Sequence, residues 1–239
     1  YPDKVNLRSY NPSVKGNAKQ IKKAVELLLQ AKRPVIYAGG GVILSGACDE
    51  LIETADLLGY PVVNTLMGLG SHPATNKQNL GMLGMHGTVE ANTAMHHSDM
   101  IFAVGVRFDD RVTNTVSKFC PNATIVHIDI DPATISKIVE AHVPVVGDIK
   151  DVLTEMLVQI KASQIERDQE ALDDWWSQLN KWRERYGLQV APRYKTDGDM
   201  LMPQEVVSML YKVTEGDAYV ASDVGQHQMF AAQYYLFDE

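Results

Sequence analysis

Val35-Ile-Tyr-Ala-Gly-Gly-Gly41 sets four apolar residues, rich in β-formers, directly against three glycines. A short apolar run that stops at glycine reads as a strand buried on both faces. Runs of the same kind, rich in Val and Ile and bounded by Gly, Pro, Asp or Asn, recur at 61–66, 100–106, 124–130 and 143–146. Helical spacing separates them. Ile21, Val25, Leu28 and Leu29 share one face of 17–30, and Leu51, Ile52, Ala55 and Leu58 share one face of 46–58, which follows the glycine loop. Residues 89–96 and 149–160 repeat the pattern. Strand and helix alternating in this way predict an α/β fold, a parallel β-sheet covered by helices on both faces and Rossmann-like in character.

The chain has 239 residues, enough for one large domain or one domain and part of another. Its 45% hydrophobic and 22% charged residues are ordinary globular values. Lys and Arg number 22 against 30 Asp and Glu, giving a formal net charge of −8. A modestly acidic chain without a Lys/Arg run is poorly suited to nucleic acid or to a membrane surface. The most apolar stretch, 100–106, falls far short of the roughly 20 residues a membrane helix needs. Two cysteines, Cys48 and Cys120, exclude a disulfide scaffold and fit a reducing compartment, hence a cytoplasmic location.

Beyond residue 161 the pattern changes. Ile165, Leu172, Leu179 and Tyr186 are spaced by sevens, with Trp175 and Trp182 between them, which predicts one long amphipathic helix lying on a domain surface. Pro192, Gly198 and many polar residues make 187–199 a linker, so 161–199 reads as a connecting helix and linker. Met202-Pro203 opens a new helix with Pro in its first turn. A strand at 218–222 and a turn at 223–226 follow. One such unit cannot bury its own core. Residues 1–160 are therefore expected to form the main domain, and 200–239 the truncated start of another, as in a piece of a longer protein. The segment 200–239 is expected either to be mobile or to pack against a neighbour.

Several strand ends carry groups suited to ligands. The glycines after residue 38 admit either a phosphate held by backbone N–H groups near a helix start or a tight turn needing positive φ. The dinucleotide pattern G-x-G-x-x-G breaks at Leu44, and no Walker lysine follows. Asp129, at the end of His127-Ile-Asp-Ile-Asp131, is placed either to accept ribose hydroxyls or to cap a helix after Pro132. It comes 88 residues after Gly41, against the roughly 20 of the dinucleotide fingerprint, which disfavours ordinary NAD binding. In Gly105-Val-Arg-Phe-Asp-Asp-Arg111, Arg107 suits a pyrophosphate and Arg111 a carboxylate, or the whole forms a structural Arg–Asp network. Met67, Met82, Met85, Met95 and Met100 crowd one region, as a flavin face or as core filling. No histidine spacing points to a metal site.

Together, Tyr37-Ala-Gly-Gly-Gly41, Asn64-Thr-Leu-Met-Gly-Leu-Gly70, Leu80-Gly-Met-Leu-Gly-Met-His-Gly87, the 105–111 and 127–131 segments and Ser222-Asp-Val-Gly-Gln-His-Gln-Met229 resemble acetolactate synthase catalytic subunits of the FAD-containing anabolic type. The resemblance covers nearly the whole chain in order. It implies the FAD-binding middle domain and the start of the C-terminal thiamine-diphosphate domain. The family joins two pyruvates, or pyruvate and 2-oxobutyrate, with loss of carbon dioxide, in branched-chain amino acid synthesis. Its cofactors are FAD, thiamine diphosphate and Mg2+. Its partners are further catalytic subunits and a small regulatory subunit.

By position, the resemblance puts FAD contacts on Gly39, Gly40, Gly41, Thr65 and Leu66. They continue with Leu83, Gly84, Met85 and His86, then Gly105, Val106, Arg107, Phe108 and Asp109, and end with Asp129, Ile130, Asp148 and Ile149. Arg111 would meet substrate carboxylate. Val224, Gly225, Gln226 and His227 would begin the thiamine-diphosphate site. Both the domain with the activating glutamate and the later magnesium-binding segment lie outside these residues, so the chain alone is expected to be inactive. The alternative is a stand-alone FAD or nucleotide module.

Overall fold

A computed structural model describes residues 12–188 and 201–239. Six strands, β1 (Pro34–Ala38), β2 (Val62–Asn64), β3 (Asn79–Met82), β4 (Met100–Val104), β5 (Thr124–Asp129) and β6 (Val143–Val146), form one sheet in the order β3-β2-β1-β4-β5-β6. Every neighbouring pair is parallel. β1 and β4 pair in register from Pro34 opposite Met100 to Ala38 opposite Val104, and every residue of both strands is buried. That is why their sequences are apolar without alternation.

The connection from β1 to β2 runs toward one edge of the sheet, and that from β3 to β4 runs back across it. Parallel crossovers are right-handed as a rule, which puts the helices of these two connections on opposite faces. α2 (Gly40–Leu44) and α3 (Cys48–Leu58) follow β1, and α4 (Val89–His97) follows β3. α1 (Ala18–Gln30) and α3 both pack on α6 (Ile149–Ala162), whereas α4 packs on α7 (Gln169–Tyr186). Polar caps set the helix starts. Asn17 accepts the amides of Lys19 and Gln20, Thr88 that of Ala91, and Asp168 that of Ala171.

Four expectations are corrected. The glycine run is not a loop ahead of one helix. Gly40 and Gly41 already belong to α2, and Gly46 (φ +63) ends that turn before α3 begins at Cys48. The long helix expected beyond residue 161 begins only at Gln169, as α7; residues 163–168 separate it from α6, and Asp168 is its cap. No strand forms at 218–222, where Tyr219 is fully exposed and no neighbouring strand supplies hydrogen bonds. No helix follows Pro132: the Asp131 carboxylate closes a turn on the amide of Ala133. Of the expected linker, residues 189–199 lie outside the described residues.

α7 lies across the N-terminal edge of the sheet. Trp175 Nε1 donates to Pro34 O (3.1 Å), Trp176 Nε1 to Gly59 O (2.8 Å), and Arg183 to the carbonyls of Lys77 and Asn79. These carbonyls belong to the entries into β1, β2 and β3. A cleft of ≈ 600 Å3 opens beside α7, lined by residues including Lys32, Arg33, His97 and Trp182. Its polar groups are largely committed: Asp99 accepts the amides of Lys32 and Arg33, and Lys32 pairs with Asp168 at 3.5 Å. It reads as a packing seam.

Segment 201–239 holds α8 (Pro203–Thr214), with Pro at its first turn as expected, and α9 (Gln226–Tyr234). α9 packs on α8 and reaches β3. Among the described residues, no helix is long and apolar enough to cross a membrane.

Candidate functional site

In a sheet of this order, the crevice for ligands opens at the C-terminal ends of the strands, where connections leave in opposite directions. Here that point lies between β1 and β4. A Cβ on Gly39 would overlap Gly105 O and come 2.8 Å from Val106, and one on Gly41 would come 2.7 Å from Gly105 Cα. The three glycines let two strand-end loops interlock. Gly39 N donates to Val104 O (2.9 Å) and Gly41 N to Gly105 O (3.2 Å). The glycines at 39, 40 and 41 all lack positive φ. Close approach is thus their main requirement, and two of their three amides are already used inside the protein. Gly40 lies under Met67, where an added Cβ would come 3.0 Å from the Met67 Cβ.

The remaining strand ends are stitched along the same edge. Thr65 N donates to Ala38 O, Leu83 N to Asn64 O, Gly105 N to Ile128 O and Gly147 N to Asp129 O. The expected contact positions from Gly39 to Ile149 therefore share one edge, and their side chains divide into two sets. Leu66, Met85, His86, Arg107, Asp109 and Arg111 are exposed. Leu83, Val106, Phe108 and Ile149 point into the core and can offer a ligand only backbone. Phe108 is an αL residue (φ +53) whose ring meets Tyr37, Phe119 and His127 edge-on. That buried anchor turns its neighbours Arg107 and Asp109 outward, where they pair at 2.7 Å. Of the crowded methionines, Met82, Met95 and Met100 are core, while Met67 and Met85 stand exposed at the crevice.

Asp129 holds the amide of Asp131 at 2.9 Å through Oδ1, and burial raises its carboxyl above the usual range. His127 beneath it donates Nε2–H to Val106 O (2.9 Å), and burial lowers its pKa, so the ring is neutral near pH 7. Asp148 is absorbed locally: it accepts Ser45 Oγ at 2.9 Å and the amides of Lys150 and Asp151, as cap of α6. Arg111 lies 3.9 Å from Asp110, and its carbonyl accepts the amide of Met85.

Sequence reading missed two residues that shape this edge. Asn92 donates to the carbonyls of Gly84 (3.0 Å) and Thr88 (2.9 Å) and accepts the Gly84 amide at 3.1 Å, holding the loop after β3 from beneath. Gln233, on α9, donates to His86 O at 2.6 Å from the other side. An Asn inside a helix and a Gln inside another give no local signal. Val224 to His227 lie at the N-terminal end of α9, with Gly225 as its cap. Among the described residues, no three His, Cys, Asp or Glu side chains gather as metal ligands.

The sheet order and the glycine-lined, interlocked loops at its switch point define a doubly wound parallel α/β domain with a crevice at the C-terminal ends of its strands. Residues 21–156 match the family described as "Thiamine pyrophosphate enzyme, central domain". That match covers more than half of the 239 residues, and the chain belongs to this family. Over its full length it is 53% identical to the acetolactate synthase isozyme 3 large subunit of Escherichia coli and 53% identical to the acetolactate synthase large subunit of Haemophilus influenzae. It is 44% identical to the acetolactate synthase of Mycobacterium bovis. The chain spans 41%, 41% and 38% of these relatives.

Proposed function

We propose that the protein containing this chain is an acetolactate synthase large subunit, which condenses two pyruvates, or pyruvate and 2-oxobutyrate, with loss of carbon dioxide in branched-chain amino acid synthesis. The observation that carries this reading is the unbroken similarity to acetolactate synthase large subunits over all 239 residues. On this reading, 1–160 is the cofactor-binding central domain, 161–199 the connector and 200–239 the start of the C-terminal thiamine-diphosphate domain. The working protein is an oligomer of catalytic subunits with a small regulatory subunit, in the cytoplasm.

FAD is the ligand proposed for the crevice. The glycine interlock at Gly39, Gly41 and Gly105 keeps side chains out of the floor, so a dinucleotide backbone can lie close. Asp129 offers its carboxylate to ribose hydroxyls. Arg107 is held ready by Asp109 for the diphosphate. Gly40, Thr65, Leu66, Met85 and His86 line the crevice, while Leu83, Gly84, Val106, Phe108, Ile130, Asp148 and Ile149 shape it through backbone and packing. Arg111 presents its guanidinium to a substrate carboxylate. Val224, Gly225, Gln226 and His227 begin the thiamine-diphosphate site, with Mg2+ held mainly by residues beyond this chain.

Thiamine diphosphate, when bound, supplies the electron sink for decarboxylation. The residues of this chain bind and orient. The neutral, buried His127 holds the Val106 carbonyl and so the start of the arginine loop. The chain by itself is expected to form no acetolactate from pyruvate, since it spans about two-fifths of its relatives.

Titration of the purified chain with FAD tests the reading. Quenched flavin fluorescence with a raised melting temperature is the expected outcome. The same titration of the full-length protein with no response would reject FAD, and a response to NAD instead would favour a nicotinamide enzyme.

A further inference from the structure

The loop after β3 and the turn before α9 belong to different candidate cofactor sites, yet one helix touches both. α9 begins at the Gly225 cap, next to the proposed diphosphate turn, and six residues beyond His227 it presents Gln233. At 1.5 Å per residue those two positions are about 9 Å apart along the axis. Gln233 Nε2 reaches His86 O at 2.6 Å, inside the loop proposed to face the flavin.

This bond is backed by others that fix α9 in place. Ala74 N donates to Phe237 O at 3.0 Å, and the amide and hydroxyl of Thr75 both donate to Asp238 Oδ1, at 2.9 and 3.0 Å. Gly70 has room for no side chain because the backbone of Glu239 lies against it. On the other side, the Tyr235 hydroxyl bonds Thr214 Oγ1 at 2.8 Å and its ring meets Tyr211 edge-on. The loop itself is held from below by Asn92 and by the bond from Met85 N to Arg111 O. The His86 carbonyl faces the other way, toward α9.

We propose that Gln233 is a positioning residue that fixes the loop 83–87 against α9 and so ties the flavin loop to the thiamine-diphosphate turn. The inference rests on the cofactor reading given above for these two loops. Gln233 itself touches neither cofactor in this account; it sets the height of the loop through a backbone carbonyl. Loss of its donor frees that loop without removing any group from either site.

The test uses the full-length protein. Gln233→Met keeps the length of the side chain and removes the donor. Amide exchange over residues 84–87, followed by mass spectrometry without cofactors, is expected to rise about three- to tenfold, the range one neutral hydrogen bond supports. Gln233→Lys, which restores a donor of similar reach, is expected to recover most of the protection. FAD affinity in Gln233→Met is expected to fall by a similar factor, while thiamine-diphosphate affinity measured without flavin stays within about twofold. Should Gln233→Met not fold, Gln233→Glu makes the same comparison. Unchanged exchange at 84–87 overturns the proposal, as does equal loss of protection in Gln233→Met and Gln233→Lys. An exchange response in a protein that binds no FAD rejects instead the flavin reading of the loop.

Discussion

At Gly39 and Gly46, two glycines seven residues apart, different physical demands apply. Gly39 has an ordinary extended backbone, but a Cβ there would run into Gly105 O. Gly46 has φ +63 with open space around its Cα. Overpacking against rigid backbone should make Gly39→Ala lose about 3 kcal/mol of folding stability. Gly46→Ala should lose about 1 kcal/mol, the cost of an αL alanine. Urea denaturation of the two variants checks the order, and equal losses would mean that the loops at 39 and 105 can part. A second demand falls on two buried histidines. His72 is fully enclosed, with the Pro73 backbone as a polar neighbour of its ring, and His127 has no hydrogen-bond partner for Nδ1. Burial lowers both pKa values below the ordinary 6.5. The unfolded chain therefore takes up protons first as pH falls. Their contribution to stability is complete above about pH 6.5 and is lost between there and the folded-state values. Stability measured at pH 7.5, 6.5 and 5.5 should decline across the last interval, and less steeply in His72→Asn. An identical slope in that variant would remove His72 from the account.

At the scale of elements, strongly apolar segments were legible and marginal ones were not. β1, β4 and β5 lie where runs rich in Val, Ile and Ala demand burial on both faces, β6 is a short valine-rich edge strand with alternating burial, and α1, α4 and α6 follow their apolar spacing to within one or two residues. β3, Asn79-Leu-Gly-Met82, went unread because it is an edge strand of four residues containing Gly81 at φ +87, and its pairing with β2 carries a register shift. The strand expected at 218–222 has the right residues but no neighbour to bond, so propensity alone did not make it. The candidate site divides similarly. Sequence reading marks strand ends as places for ligands because parallel sheets put them there. It cannot say that Phe108 turns inward, that Asp148 is taken up by Ser45, or that Asn92 and Gln233 hold one loop from two sides. Those facts depend on residues far apart in the chain.

For the molecule as a whole, the burial is uneven, and that predicts uneven stability. The described residues 12–188 close around one core that runs from Ile21 to Leu179. Segment 201–239 has few buried side chains, Gln204, Tyr234 and Tyr235, and none of them belongs to that core. On α8, Val206, Met209, Leu210 and Val213 recur at helical spacing and are all exposed, from 43% to 74%. A helix of this length is marginal in water without packing of its apolar face. Its hold on the rest is α9 and the hydrogen bonds from Phe237, Asp238 and Gln233. Opening α8 alone therefore exposes little apolar surface, whereas opening β4 exposes the centre of the core. Native-state hydrogen exchange on the 239-residue chain should show α8 amides exchanging at least about a hundredfold faster than those of β1, β4 and β5, a gap of roughly 3 kcal/mol. In the full-length protein the gap should narrow, because the apolar face of α8 would gain the partners that its composition calls for. Equal protection of α8 and β4 in the chain alone would mean that 201–239 is stabilised by its own contacts, and would undercut its reading as the opening of a separate domain.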